Sequence, residues 1–317
     1  MNRFLSAVAM TFGWAVLLGG ITAPVAGADN DPAAAGNGKS LVVMGDSNTA
    51  NATWTTPDAS PESGECAHQP TSWPTQMGQR MGLRENDVAD VSCVGSYLYR
   101  HGEDRYWTAL TQTRRAAEIG AFGTRTKAVL LQFGLNDIWG ENHKAQGELA
   151  PCLLNIERGC STADVAANGT PPKILTGQDY VDHLGSIVAY LRYYAPNARI
   201  ILVGYQELHT PGDTAICTDI LGVPMRIPRA SAVTDVFESV QQAPKAGAAQ
   251  LGIEFFDARA ATAGHGLCSD DPWLTGVFTP GRDFLGQPGH PTLEGDAAVS
   301  AALQQYLAAP APQAPAR

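Results

Sequence analysis

The sequence predicts an α/β protein, a three-layer α/β/α sandwich around a central, mainly parallel sheet of about five strands. Short apolar runs typical of buried strands alternate along the chain with longer segments of helical periodicity. This alternation favours a parallel sheet that helices cover on both faces. No internal repeat or low-complexity linker divides the chain, so we expect one folded domain over residues 40–308.

The predicted strands are short and rich in apolar residues, and the run KAVLLQF is the strongest of them. The first three along the chain are followed directly by glycine, which favours a turn at that point. The five predicted strands are Leu41–Met44, Asp87–Val94, Lys127–Phe133, Arg199–Gly204 and Ile253–Asp257.

Helices are predicted between and after these strands. The clearest one opens with a capping box, from Thr176 to Asp179, and keeps apolar residues at helical spacing until Pro196. Pro244 is expected to disturb a helix around residues 233–250, and residues 258–289 are predicted to be irregular. The remaining predicted helices are Trp73–Leu83, Asp104–Gly120 and a last one that starts at His290 and runs to about Ala308.

The N-terminus has the pattern of a secretory signal peptide over residues 1–28. Arg3 supplies a positive charge, Phe4 to Leu18 is apolar but short for a membrane span, and Ala26-Gly27-Ala28 is an A-x-A cleavage site. The alternative is an uncleaved anchor. We expect cleavage near Ala28, a flexible lead-in over residues 29–39, a disordered Pro/Ala tail over residues 309–317, and a secreted protein.

The composition limits the kinds of partner that the protein is expected to bind. The formal net charge is −10, and the predicted signal peptide carries only one charged side chain, so the mature chain is acidic. An acidic protein is poorly suited to bind nucleic acid or anionic membrane surfaces. No later apolar run is long enough for a membrane span. We expect the protein to be a monomer that binds no nucleic acid and does not insert stably into a membrane.

The six cysteines are an even number in a chain predicted to be exported, which favours disulfides. None of them are spaced C-x-x-C, so zinc ribbons and redox motifs are not indicated. Many pairings are possible in principle. The simplest is sequential: Cys66–Cys93, Cys152–Cys160 and Cys217–Cys268.

Four separated pieces of the chain fall where chemistry would be expected in such a fold. Gly45-Asp46-Ser47 follows the first strand, Gly95 follows the second, Gly134-Leu135-Asn136-Asp137 follows the third, and His290 opens the last helix. Parallel strands end at one edge of the sheet, so these pieces should converge on one crevice. Taken singly, each has a structural explanation: a helix cap, a turn, an Asx turn and a helix start.

In this order and over nearly the whole chain, the four pieces resemble the SGNH hydrolases, also called the GDSL esterases and lipases. The resemblance implies the SGNH-hydrolase fold and hydrolysis of carboxylic esters. Within the family, the sequence looks closest to secreted actinobacterial esterases and lipases, in which three disulfides at similar spacings are common. No cofactor is expected, because the sequence contains no metal or nucleotide motif.

The resemblance assigns a role to each matched residue. Ser47 would be the nucleophile, and His290 the base that takes its proton. The oxyanion would be bound by the backbone N–H groups of Ser47 and Gly95 and by the side-chain amide of Asn136. Two acidic neighbours, Asp46 and Asp137, are expected to be structural and to bind loop backbone.

One departure from the family pattern concerns the residue that orients the histidine. The family usually has an Asp three residues before the His, where this chain has Gln287. Some secreted members lack the acid and use a main-chain carbonyl. We therefore expect the backbone carbonyl of Gln287 to accept from His290 Nδ1, with Asp283 as the rival if its loop folds back.

The predicted substrates are lipid or short-acyl esters, because apolar residues occur in the loops near the expected site: Leu135, Trp139, Trp273 and Phe278. Two alternatives remain open at this point. One is an esterase that removes acetyl groups from a carbohydrate. The other is a binding protein that keeps the scaffold without catalysis.

Other kinds of site are not indicated. The chain has no G-x-S-x-G elbow and no metal or nucleotide motif. The remaining histidines form no ligand pattern, and His183 is expected on the surface of its helix. Asn51 and Asn168 lie in Asn-x-Thr matches, which occur often by chance. No metal is predicted.

Overall fold

A computed structural model describes residues 37–52, 66–102, 107–140, 144–145, 159–169, 171–220, 223–276 and 289–311. Its centre is a five-stranded sheet in the order β2-β1-β3-β4-β7, and every neighbouring pair in it is parallel. The predicted fold class is therefore confirmed. The strands of this sheet are β1 (Leu41–Gly45), β2 (Val88–Asp90), β3 (Ala128–Gln132), β4 (Arg199–Val203) and β7 (Glu254–Phe256).

Helices, one hairpin and two 3₁₀ turns, Glu85–Asp87 and Asp137–Trp139, are further regular elements among the described residues. The hairpin pairs β5 (Ile216–Ile220) with β6 (Val223–Ile227) in antiparallel fashion. The helices are α1 (Ser47–Ala50), α2 (Trp73–Arg80), α3 (Ala109–Glu118), α4 (Thr162–Asn168), α5 (Gly177–Tyr194), α6 (Ser231–Leu251), α7 (Ala258–Ala261) and α8 (Leu293–Ala308).

Two separate hydrophobic cores lie on the two faces of the sheet. Because successive side chains of a strand point to opposite faces, Val42 and Met44 of β1 belong to the core under α3, α5 and α6. Leu41 and Val43 belong to the core under α2 and α8. All four of these side chains are completely buried, which explains why β1 has no polar positions before its end.

The helix ends follow local capping chemistry, and this corrects two predicted starts. Thr176 caps α5 in the predicted capping box. In the same way, Thr108 caps α3, so that helix begins at Ala109 rather than at Asp104. Thr292 caps α8 through its side chain, so the last helix begins after the His290-Pro291 pair and not at His290. The predicted start was wrong there because Thr292, not His290, is the residue that caps the helix.

Other differences from the prediction are local. Strand β2 has three residues, because residues 85–87 form a 3₁₀ turn and the regular register with β1 ends at Asp90. Beyond it, the N–H groups of Val91 and Cys93 still donate to carbonyl oxygens of β1. Helix α6 continues through Pro244. The β5–β6 hairpin, α4 and the four-residue α7 were not predicted, and α7 lies inside a segment that was expected to be irregular.

Two of the three expected disulfides are present, Cys66–Cys93 and Cys217–Cys268. The first ends two residues before Gly95, so it ties a distant loop to the end of β2. Cys152 lies outside the described residues, and its pairing with Cys160 stays a prediction. Among the helices that are described, none combines the length and apolar character needed to cross a membrane.

Candidate active site

The loop after β1 presents Ser47 at the carboxyl edge of the sheet. Asp46 caps the short helix α1 by accepting a hydrogen bond from the backbone N–H of Asn48 at 2.9 Å. Ser47 is therefore the first helical residue and is only 5% exposed. At Gly45 a Cβ atom would lie 2.2 Å from the Thr49 hydroxyl oxygen, so the turn has no room for a side chain there.

Ser47 and His290 are brought together from opposite ends of the chain. The distance between His290 Nε2 and Ser47 Oγ is 2.7 Å, across a sequence separation of 243 residues. The imidazole is half-buried. A hydroxyl and an imidazole in direct hydrogen-bond contact are the arrangement in which the imidazole can take the hydroxyl proton.

The main chain at His290 is held by a short antiparallel contact with residues 273–275. The Thr275 N–H donates to the His290 carbonyl oxygen at 2.8 Å, and the Gly289 N–H donates to the Thr275 carbonyl oxygen at 2.7 Å. Gly289 has a φ of +75°, a value that favours glycine. Gln287 and Asp283 both lie outside the described residues, so the group that orients the imidazole stays a prediction.

Gly95 and Asn136 follow β2 and β3 at the same edge. Asn136 is 8% exposed, and its Nδ2 donates to the Ser96 carbonyl oxygen at 2.8 Å, which joins the two loops. Gly95 has a φ of +75°, while a Cβ there would meet no protein atom within 4 Å. The backbone conformation therefore requires glycine at this position, in addition to the close approach of a substrate expected from the sequence.

The sheet order places these loops at its reversal point. From β1 the chain continues to β2 on one side, whereas β3, β4 and β7 follow on the other side. In open α/β sheets, ligands bind in the crevice at the point where the strand order reverses in this way. Ser47 follows β1 and Asn136 follows β3, so these two residues flank that crevice.

Gln112, a residue with no functional motif, ties the first two loops together. Its Oε1 accepts from the Gly45 N–H, and its Nε2 donates to the Gly45 carbonyl oxygen and to Ser96 Oγ, all within 2.8 Å. The side chain is completely buried in α3. Sequence reasoning missed it because a glutamine inside a helix carries no signal of its tertiary partners.

The two acidic neighbours bind loop backbone, as expected. Asp137 accepts from the N–H groups of Leu98 and Tyr99 at 2.8 and 3.1 Å. Asp46 is completely buried and also accepts a hydrogen bond from the Tyr205 hydroxyl, a partner that was not predicted. Burial raises the pKa of each carboxyl to about 7.

A cavity of about 310 Å³ lies beside the loops that follow Gly95 and Asn136. None of its described lining residues is among the aromatic and apolar residues predicted for an acyl pocket. Leu135 and Trp139 instead pack against the core, Trp273 stacks on His265, and Phe278 lies outside the described residues. The lining residues are Tyr97, Leu98, Tyr99, Arg100, His101, Asp137, Gly140, Lys173, Leu175 and His183.

Three further features considered from the sequence are His183, Asn51 and a metal site. His183 is half-buried and stacks on the Tyr99 ring at 4.2 Å between centroids, which corrects its expected place on the surface. Asn51, in one of the Asn-x-Thr matches, is 5% exposed. Across the described ranges, no group of three or more His, Cys, Asp or Glu side chains is placed to hold a metal ion.

A parallel sheet with a hydrogen-bonded serine and histidine at its carboxyl edge is an arrangement found in serine hydrolases with α/β folds. The chain belongs to the GDSL-like lipase/acylhydrolase family, whose model matches residues 43–298.

Individual relatives agree with this assignment. Lipase 1 of Streptomyces coelicolor is 25% identical over 57% of this chain and 60% of its own length. An esterase of Streptomyces scabiei is 24% identical over 84% of this chain and 81% of its own. The crystal structure of an extracellular lipase from Streptomyces rimosus has the same fold, with a TM-score of 0.54 at 19% identity, over 84% of this chain and 99% of that one.

Proposed function

We propose that this protein is a secreted serine hydrolase that cleaves carboxylic esters through an acyl-enzyme on Ser47, with His290 as general base. The observation that carries the proposal is the 2.7 Å contact between His290 Nε2 and Ser47 Oγ. Membership of the GDSL-like lipase/acylhydrolase family supports the ester bond as the target.

The reaction follows from this contact. Neutral His290 accepts the hydroxyl proton at Nε2 while Ser47 Oγ attacks the ester carbonyl carbon. The tetrahedral intermediate collapses when the imidazolium returns that proton to the leaving alcohol oxygen, which leaves the acyl group on Ser47. His290 then deprotonates a water molecule that attacks the acyl carbon. Release of the carboxylic acid restores the serine hydroxyl.

The negative charge of the intermediate needs fixed donors. The proposed donors are the backbone N–H groups of Ser47 and Gly95 and the second N–H of the Asn136 amide. The first N–H of that amide already binds the Ser96 carbonyl oxygen, and this contact holds the amide plane in place. Donors that are held before the substrate arrives need no reorganisation during the reaction.

The imidazole is proposed to be oriented by the Gln287 carbonyl rather than by a carboxylate. If so, Asp283→Asn should keep kcat for a soluble ester, because the side chain at position 283 would take no part in holding His290. Measuring kcat of this variant beside the wild-type protein tests the choice. A fall on the order of 10³–10⁴-fold would identify Asp283 as the orienting acid instead.

Lipid or short-acyl esters are the proposed substrates. The support is the lipase name of the S. coelicolor relative and the cavity beside the oxyanion loops, whose walls include the apolar side chains Leu98 and Leu175. Secretion is proposed because the N-terminal sequence has a signal-peptide pattern, two disulfides are present, and the S. rimosus lipase of the same fold is described as extracellular.

A chain-length series of p-nitrophenyl esters, run beside acetylated sugars, tests the substrate class. Within the p-nitrophenyl series we expect kcat/KM to be higher for a longer acyl chain than for the acetate, because an acetyl methyl group would leave the apolar walls of the cavity uncovered. The sugar acetates should be hydrolysed poorly. The opposite order would identify a carbohydrate esterase. Absence of turnover on both, together with absence of fluorophosphonate labelling, would identify a binding protein on this scaffold.

A further inference from the structure

The side chain of Asn51 connects the segment that carries Ser47 with the segment that carries His290. Its Nδ2 donates to the Pro291 carbonyl oxygen at 3.0 Å and to Asp296 Oδ2 at 2.7 Å. Pro291 follows His290 directly, and Asp296 lies in the first turn of α8. A single amide group thus reaches two points of the histidine segment, 240 and 245 residues away in sequence.

On the serine side, Asn51 is fixed by its own backbone. It ends α1 in the left-handed conformation, with φ 44° and ψ 39°, and its N–H donates to the Ser47 carbonyl oxygen at 2.8 Å. Asparagine tolerates this conformation better than most residues with a Cβ. The position of the Asn51 side chain is therefore coupled to the position of Ser47 through one helical turn.

On the histidine side, the acceptors are equally fixed. Asp296 is completely buried, and its N–H donates to the Thr292 carbonyl oxygen at 2.9 Å, within the first turn of α8. A carboxylate that accepts from a buried amide makes a short, strong hydrogen bond. The bond to Asp296 sets the rotamer of the Asn51 amide, and the second N–H of that amide then meets the Pro291 carbonyl oxygen.

The contact between His290 and residues 273–275 does not by itself fix the distance between His290 and Ser47. That contact joins residues 273–275 to the histidine segment only. The Asn51 amide, by contrast, joins the segment of Ser47 to the segment of His290. Proton transfer between Ser47 Oγ and His290 Nε2 depends on their separation, and a displacement of about 1 Å can cost on the order of 10²-fold in rate.

We propose that Asn51 and Asp296 are positioning residues that set the distance between Ser47 and His290. Asn51 donates to the Pro291 carbonyl oxygen, and Asp296 holds the Asn51 amide in the orientation that makes this bond. The inference rests on the proposed function, because it concerns the geometry of the Ser47–His290 pair.

The decisive variants are Asn51→Ala and the reversed pair Asn51→Asp/Asp296→Asn. Alanine removes both hydrogen bonds of the amide. The reversed pair keeps a bond between the two side chains, because the new amide at 296 donates to the new carboxylate at 51, but no donor remains for the Pro291 carbonyl oxygen. Asn197→Ala is the matched control, since Asn197 donates to the Thr124 carbonyl oxygen on the exposed surface.

For Asn51→Ala we expect kcat on a p-nitrophenyl ester to fall on the order of 10²-fold with a nearly unchanged KM, and fluorophosphonate labelling to slow in parallel. For the reversed pair we expect a Tm above that of Asn51→Ala, because the bond between the two side chains is kept, but a kcat per folded molecule that is lowered as in Asn51→Ala, because the Pro291 bond is lost. A purely structural role would instead make kcat per folded molecule independent of the Pro291 bond. Asn197→Ala should keep the wild-type kcat.

A wild-type kcat in folded Asn51→Ala overturns the proposal. If that variant does not fold, a wild-type kcat in the reversed pair overturns it. Failure of the proposed function looks different: the wild-type protein would then show no Ser47-dependent hydrolysis or labelling at all, whatever stands at position 51.

Discussion

Ser47→Ala and His290→Ala should each lower kcat for ester hydrolysis by up to about 10⁶-fold, the loss found when either member of such a pair is removed from another serine enzyme. Alanine at 47 removes the nucleophilic oxygen. Alanine at 290 leaves the hydroxyl without the base that lies 2.7 Å away. Because the two groups act as one unit, the double variant should be no slower than either single variant.

Fluorophosphonate labelling tests the reactivity of the Ser47–His290 pair without a substrate. Wild-type protein should be labelled at Ser47, Ser47→Ala should not be labelled, and His290→Ala should be labelled far more slowly. Ser186→Ala is the matched control, because Ser186 lies on the exposed side of α5. Ester turnover that survives Ser47→Ala would place the nucleophile elsewhere in the chain.

The parts of the molecule that could be predicted from sequence are those whose signal is local. Residues 41–44 and 128–131 are continuously apolar because their strands are buried on both faces of the sheet. The order of Ser47, Gly95, Asn136 and His290 along the chain was sufficient to place them at one edge, since parallel strands end together. The capping box at Thr176 needed only four residues to be recognised.

The parts that could not be predicted depend on contacts between distant residues. Gln112 binds Gly45 and Ser96, and Tyr205 binds Asp46, yet neither residue differs in sequence from an ordinary helix or loop residue. Asn51 was discounted as a chance glycosylation match, and its contacts with Pro291 and Asp296 exist only once α1 and α8 are packed. Trp139 was expected at the substrate, but it packs against Phe237.

Asn136→Ala should lower kcat on the order of 10²–10³-fold, the usual loss when one oxyanion donor is removed. Asn136 is 8% exposed, and its amide binds Ser96, the residue after Gly95, at the edge of the sheet where Ser47 also lies. Since the oxyanion forms only after attack, the loss should fall on kcat and leave KM nearly unchanged. Steady-state kinetics on a p-nitrophenyl ester measure both quantities, with Asn197→Ala as the control for an amide that binds backbone far from the site.

The hydrogen bond from Asn136 to the Ser96 carbonyl oxygen provides a competing, structural explanation for any loss. If that bond were the whole role of Asn136, alanine would lower Tm, while kcat per folded molecule would stay at the wild-type value. Asn136→Asp separates the two roles further. Aspartate keeps the shape of the side chain but places a negative charge beside the developing oxyanion, so its kcat should lie below that of Asn136→Ala. An aspartate variant faster than the alanine variant would remove Asn136 from the proposed oxyanion hole.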